Sequence, residues 1–265
     1  MMDIRKKALA VAVLAALAAP VSVSLDVVSP AIVSAAPAAE TKASDAFTID
    51  LTKGGQNDIS IPSDGWSNGA MFNVFWHKEN VTFHDGAMQL VINPSPNPAA
   101  DKVPYSGGEY RTKNFYGYGR FETTMKAIKN DGVVSSFFTC TGPYDNGNDW
   151  DEIDFEVLGK DTTKVQLNYF RKGVGGHEKM IDLGFDASED FHTYAFEWHK
   201  NSIIWYVDGK EVYRVEGGDL PCTKGRILMN AWCGKGVDEW LKPFKDDKMP
   251  LVAEYKSIKY TPFAE

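Results

Sequence analysis

The feature that most restricts this chain's fold is a short run in which acids and apolar residues alternate: Glu152-Ile153-Asp154-Phe155-Glu156-Val157. A strand turns successive side chains to opposite faces. Glu152, Asp154 and Glu156 therefore share one face, and Ile153, Phe155 and Val157 the other. The apolar face is suited to a well-buried central strand. Three carboxylates side by side repel each other, and folding alone gives no reason to line them up. A raised pKa on one acid beside an ionised neighbour is what glycosidic bond cleavage requires.

The same period recurs along the chain. Met88 to Ile92, Gly119 to Met125, Lys164 to Phe170, Thr193 to Trp198, Gly225 to Trp232 and Glu254 to Tyr260 all read as strands. Ser202 to Val207 meets Lys210 to Val215 across Asp208-Gly209, a dipeptide suited to a tight hairpin turn. Helical periodicity is weak. Many short strands with polar turns predict an all-β fold of two packed antiparallel sheets, with residues 101–108 as a loop at the rim of a cleft. With 265 residues and 43% hydrophobic content, one domain with one core accounts for the chain.

The N-terminus reads differently. Arg5, Lys6 and Lys7 precede an apolar stretch, Ala8 to Ala19, and small residues follow around Ala36 and Ala39. That order describes a secretory signal over residues 1–36 and a secreted protein. Residues 37–46 then form a disordered lead-in, and 47–265 the folded domain. Removing 1–36 takes away Asp3, Arg5, Lys6, Lys7 and Asp26, so the net charge moves from −8 to −9. Such a chain suits neither nucleic acid nor an anionic membrane surface, and tolerates a neutral glucan. No long amphipathic stretch is present, so a monomer is expected. The histidines are scattered and no Cys-x-x-Cys spacing occurs, which leaves metal and redox motifs absent. Of Cys140, Cys222 and Cys233, at most one pair can form, and Cys222 with Cys233 is the closest in sequence.

Retaining hydrolysis needs a nucleophile and a proton donor about 5–5.5 Å apart. Positions i and i+4 on a strand lie roughly 13 Å apart at the backbone, a gap that two leaning Glu side chains would narrow. Spacing does not say which Glu plays which part. Asp154 between them is placed to hydrogen-bond one of the two. Trp150, just before the run, offers an aromatic face for the flat C–H side of a sugar.

The stretch Trp150 to Tyr169 resembles the bacterial lichenases, endo-1,3-1,4-β-glucanases of glycoside hydrolase family 16. Further matches lie in Val133 to Thr139, Gly176 to Lys179, Leu183 to Asp186, His192 to Phe196, Trp205 to Gly209 and Gly236 to Trp240. The resemblance implies a jelly-roll β-sandwich with a concave substrate cleft, and cleavage with retention. Carried over by position, it makes Glu152 the nucleophile, Asp154 its helper and Glu156 the acid/base. It sets Asn68, Glu109, Arg111, Phe138, Asn168, Asn230, Trp232 and Trp240 against sugar, and leaves Trp76, Trp198 and Trp205 in or near the core. No residue is inserted between Asp154 and Glu156, which favours a mixed-linkage substrate over a pure 1,3-glucan. Xyloglucan hydrolysis or transglycosylation, and a non-catalytic glucan-binding module, are the alternatives.

The chain departs from that family's pattern at several positions. Cys140 stands where the lichenases carry a Tyr, with Tyr144 nearby as a replacement ring. Phe170 also replaces a Tyr, and Trp66 replaces another with a larger stacking surface. Val74 and a position near Gly107 stand where the usual disulfide would be. Many relatives bind a structural calcium through an Asp where this chain has Lys256. An ammonium beside a divalent cation is unfavourable, so neither calcium nor any other cofactor is expected.

Overall fold

The computed structural model describes residues 46–56 and 58–263. The expected signal segment and the lead-in up to residue 45 lie outside them. Among the described residues there are sixteen strands, beginning with β1 (Phe47–Asp50), β2 (Ser60–Pro62), β3 (Val74–Trp76), β4 (Val81–His84) and β5 (Ala87–Pro94). Next come β6 (Tyr105–Thr112), β7 (Gly119–Lys126), β8 (Val133–Thr141), β9 (Asp151–Leu158) and β10 (Lys164–Phe170). The rest are β11 (Lys179–Asp182), β12 (His192–His199), β13 (Ser202–Val207), β14 (Lys210–Glu216), β15 (Arg226–Cys233) and β16 (Leu251–Pro262). Three α-helical turns, α1 (Pro98–Asp101), α2 (Pro143–Asn146) and α3 (Asp238–Leu241), sit in loops, as do two 3-10 turns at Leu51–Lys53 and Lys78–Asn80.

The strands form a jelly-roll sandwich. One sheet runs β11-β10-β9-β8-β15-β6, with β2 beyond β6; the other runs β5-β16-β7-β12-β13-β14, with β4 on β5 and β1 on β16. The two join where Asn93 and Pro94 of β5 meet Ser106 and Tyr105 of β6. The pairing is antiparallel throughout except between β3 and β6, which run parallel. Apart from that short pair, the two sheets are antiparallel as expected. The chain between β3 and β6 holds β4, β5 and α1, long enough for the crossover that a parallel pair needs.

The alternation works as the sequence predicts. Ile153, Phe155 and Val157 are fully buried between the sheets. Phe137 meets Phe196 across the core at 5.7 Å between ring centroids, and Phe155 meets Tyr194 at 5.6 Å. Trp76, Trp198 and Trp205 are in the core as expected. Two of the core rings also tie the sheets by hydrogen bonds. Trp205 Nε1 donates to the carbonyl of Asp154 (3.2 Å), and Tyr255 Oη to the carbonyl of Ser136 (2.9 Å). At the β13–β14 hairpin, Asp208 and Gly209 take φ of 48° and 77°, the positive values that its two-residue turn requires.

Residues 101–108 are not a rim loop. From Tyr105 onward they belong to β6, and Asp101 is buried, accepting from Ser95 Oγ (2.5 Å) and facing His77 Nε2 (2.9 Å). Gly107 and Gly108 weaken the strand signal there, because backbone passes too close for a side chain. A Cβ on Gly108 would lie 2.5 Å from the Asn80 carbonyl oxygen. A Cβ on Gly107 would lie 3.1 Å from Val74 Cγ2, so the two disulfide positions of the resemblance are neighbours here, filled by a methyl group. All three cysteines are free; Cys222 is exposed and Cys233 buried, so the possible Cys222–Cys233 pair does not form. Gly107→Ala would also bring its methyl 2.8 Å from the Ala231 carbonyl oxygen. It is expected to lower stability by about 1–3 kcal/mol, read as a lower urea midpoint.

Candidate active site

Register sets the site. On the outward face of the first sheet, Glu152 lies between Cys140 and Phe170, Asp154 between Phe138 and Asn168, and Glu156 between Ser136 and Gln166. The last row continues through Asn230 of β15 to Glu109 of β6. Neither ladder of β9 slips along its length, so no bulge re-aims Glu156. Asp154, Gln166, Asn168, Asn230 and Glu109 are each less than a tenth exposed. Polar side chains on a flat outer face would be wet. This face is therefore recessed, a cleft floor with Glu152 and Glu156 half-buried in it.

Hydrogen bonds cross the floor from strand to strand. Ser136 Oγ donates to Asn230 Oδ1 (2.5 Å), Asn230 Nδ2 to Glu109 Oε2 (3.1 Å), and Ser63 Oγ to Glu109 Oε1 (2.6 Å). Gln166 Nε2 donates to Glu156 Oε2 (2.7 Å), and Trp150 Nε1 to Glu152 Oε2 (2.8 Å). Glu152 also hydrogen-bonds Cys140 and Asp154, which answers the question of which Glu the central acid serves.

Burial pushes all three acids up, and what offsets it differs. At Asp154 burial comes first, the charges of Glu152 and Glu156 add to it, and the carboxyl stays well above its usual range. It is neutral and donates its proton toward Glu152. Burial lifts Glu156 to about 8, with Glu152 and Glu178 adding and only Gln166 opposing. Burial raises Glu152 too, against three opposing donors: Cys140, Trp150 and Asp154. The Cys140 thiol, pushed well up by burial and by Glu152, remains protonated.

Aromatic groups close both ends. Trp150 and Phe170 stack at 4.6 Å and 11° beside Glu152. At the Glu156 end, Trp240 Nε1 donates to Gln166 Oε1 (3.0 Å), and the Trp232 ring lies 6.0 Å from Trp240.

Residues 68–249 match the sequence pattern described as Glycosyl hydrolases family 16. The chain is 56% identical over 215 residues to a xylanase/beta-glucanase of Ruminococcus flavefaciens, a match covering 80% of this chain and 26% of that protein. It is 54% identical over 200 residues to a beta-glucanase of Paenibacillus polymyxa, covering 75% and 81%. A crystal structure of a prokaryotic beta-1,3-1,4-glucanase (lichenase) from a mouse hindgut metagenome superposes with a TM-score of 0.78 at 47% identity, covering 82% of this chain and 99% of that one. The chain belongs to glycosyl hydrolases family 16.

Against that family's pattern, the floor gathers Glu109, Phe138, Asn168 and Asn230 around the acids. Phe170 stands at the Trp150 end and Trp240 at the other. Arg111 stacks over Trp66 with its guanidinium carbon 5.8 Å from the ring centroid. Asn68 is exposed at the surface and accepts from Trp76 Nε1 (2.6 Å). Trp232 departs from expectation: it is 2% exposed, stacked under Phe72 at 4.0 Å, and supports the wall instead of offering a face to sugar. Tyr144, 86% exposed on α2, does not fill the gap left at Cys140 on the floor. Sequence reasoning missed Gln166 and Ser136. Gln166 precedes Asn168 and Phe170 by the strand period of two, and Ser136 stands likewise to Phe138.

Two places among the described residues could be considered for a metal, and neither suits one. Lys256 Nζ lies 3.8 Å from the centroid of the Phe191 ring, and the neighbouring Glu254 pairs with Lys126, an arrangement that does not suit a dication. Asp64, His77 and Glu79 cluster elsewhere, but Lys78 Nζ already pairs with Asp64 (2.8 Å) and Glu79 (3.6 Å).

A fourth acid anchors the start of β9. Asp151, buried, accepts from the backbone N–H of Cys222 (2.8 Å), Thr223 (3.0 Å) and Lys172 (3.0 Å), and pairs with Arg171 (3.0 Å). Burial alone would raise its pKa; these donors outweigh burial and hold the carboxyl below the ordinary 3.8. Its contribution to stability is fully present above that ordinary value and is lost as pH falls through the depressed one. Asp151→Asn should cost roughly 3 kcal/mol at neutral pH, and denaturation curves of the two proteins should converge only in acid.

Proposed function

We propose that the protein is a secreted endo-β-glucanase that cuts mixed-linkage β-1,3-1,4-glucans by retaining double displacement. Glu152 is the nucleophile, Asp154 its helper and Glu156 the acid/base. The observation that carries this reading is the unequal supply of donors to two acids on one strand face. Three donors, from Trp150, Cys140 and Asp154, favour the charged form at Glu152. One donor beside two further negative charges leaves Glu156 protonated. A charged acid paired with a protonated one is the starting state that retaining hydrolysis requires.

In the first step Glu152 attacks the anomeric carbon while Glu156 protonates the departing oxygen. The ester so formed removes the charge of Glu152, and with it part of what held the proton on Glu156. Glu156 then draws a proton from water, which hydrolyses the ester. The lichenase and beta-glucanase names of the relatives, and the ungapped spacing from Asp154 to Glu156, support a mixed-linkage substrate. The basic, apolar and small-residue order of residues 1–36 supports export.

Glu152→Gln should reduce hydrolysis of lichenan by at least about a thousandfold, and a rate equal to that of the wild type would sink the nucleophile assignment. Glu156→Ala should regain activity with azide and yield a β-glycosyl azide; an α-azide would exchange the two roles. Rates on barley β-glucan, lichenan, laminarin, carboxymethylcellulose and xyloglucan should favour the first two. Because the acid must hold its proton, kcat/KM should fall as pH rises through about 8, the pKa of Glu156. An alkaline limb that Glu156→Gln leaves in place would belong to another group.

A further inference from the structure

Gln166 stands directly across from Glu156 in the β9–β10 ladder, with its Nε2 on the carboxylate. A glutamine amide has a donor end and an acceptor end, and rotation about its last bond exchanges them. Nothing in Gln166 itself decides which end faces Glu156. Trp240 decides it. An indole N–H can only donate. The end of the amide that faces Trp240 Nε1, 3.0 Å away, must therefore be Oε1, and the NH2 is left facing Glu156. Trp240 is itself tied back, since Lys160, in the turn after β9, donates to the Trp240 carbonyl. β9, its following turn, α3 and β10 thus close a ring of contacts around one amide.

We infer that Trp240 is a positioning residue for Glu156, acting through Gln166 by locking the amide with its donor end toward the carboxyl group. This rests on the reading of Glu156 as the acid/base. Between the two steps of that reaction Glu156 changes from acid to carboxylate and back. A locked NH2 group stabilises the carboxylate; a rotated amide would offer its oxygen to the proton and stabilise the acid. The charged groups acting on Glu156 are Glu152 from its own strand and Glu178 from the loop before β11. Asp154, also on β9, lies between Glu152 and Glu156. The β8 neighbour is neutral Ser136, and Asn230 and Glu109 lie one and two strands further along the row. Burial and the charges of Glu152 and Glu178 push the proton onto Glu156, and the locked amide opposes them.

The test uses the full-length protein with Glu152→Gln, which does not turn over, and follows the Glu156 carboxyl carbon by NMR against pH. Adding Gln166→Leu should raise the Glu156 midpoint by about one pH unit. Adding Trp240→Phe, which keeps a ring and removes the N–H, should raise it in the same direction by less. Should the Phe variant not fold, Trp240→Met makes the same comparison. In the otherwise unaltered enzyme, Trp240→Phe should move the alkaline limb of kcat/KM upward and lower kcat more than it changes KM. A Glu156 midpoint unmoved by the Trp240 variant, with only KM raised, would overturn the inference and make Trp240 a sugar platform alone. Failure of azide rescue in Glu156→Ala would instead count against the acid/base reading, so the two failures are separable.

Discussion

Three carboxyl groups on one recessed strand face can coexist only if some of them stay protonated. That condition governs the arrangement around β9. Asp154, at the centre, gives up ionisation and becomes a hydrogen-bond donor to Glu152, while its own backbone carbonyl is held from beneath by Trp205. The opposite face of the same strand explains why the cost is tolerable. Ile153, Phe155 and Val157 fix β9 in the middle of the core, so repulsion above is met by burial below.

The neighbouring strands supply what β9 lacks. Each acid is flanked by one residue from β8 and one from β10, and these flanking pairs differ in what they donate. Cys140 opposes the rise that burial imposes on Glu152; Gln166 is the lone donor to Glu156. Two identical side chains on one strand thus meet unequal sets of donors. Asp151, a fourth acid on the strand, is removed from this contest by its location at the end of β9, where backbone amides and Arg171 claim it.

Much of this was legible in the chain because strand period is a strong signal where apolar residues alternate with polar ones. The runs at 164–170 and 202–207 coincide with β10 and β13. The reading failed where side chains are missing or where a ring's surroundings matter. Gly107 and Gly108 hid the start of β6, since glycine carries no pattern. Trp232 sits on the cleft side of β15, as its period with Asn230 says, yet Phe72, far away in sequence, covers it. The direction in which Asp154 leans, and the part played by Gln166, depend on hydrogen bonds between strands, which spacing along one strand does not encode.

The contact of Val74 with the space beside Gly107 has a consequence for how the molecule matures. A sandwich clasped at that point by a methyl group, with three thiols left unjoined, requires no oxidant to reach its final shape.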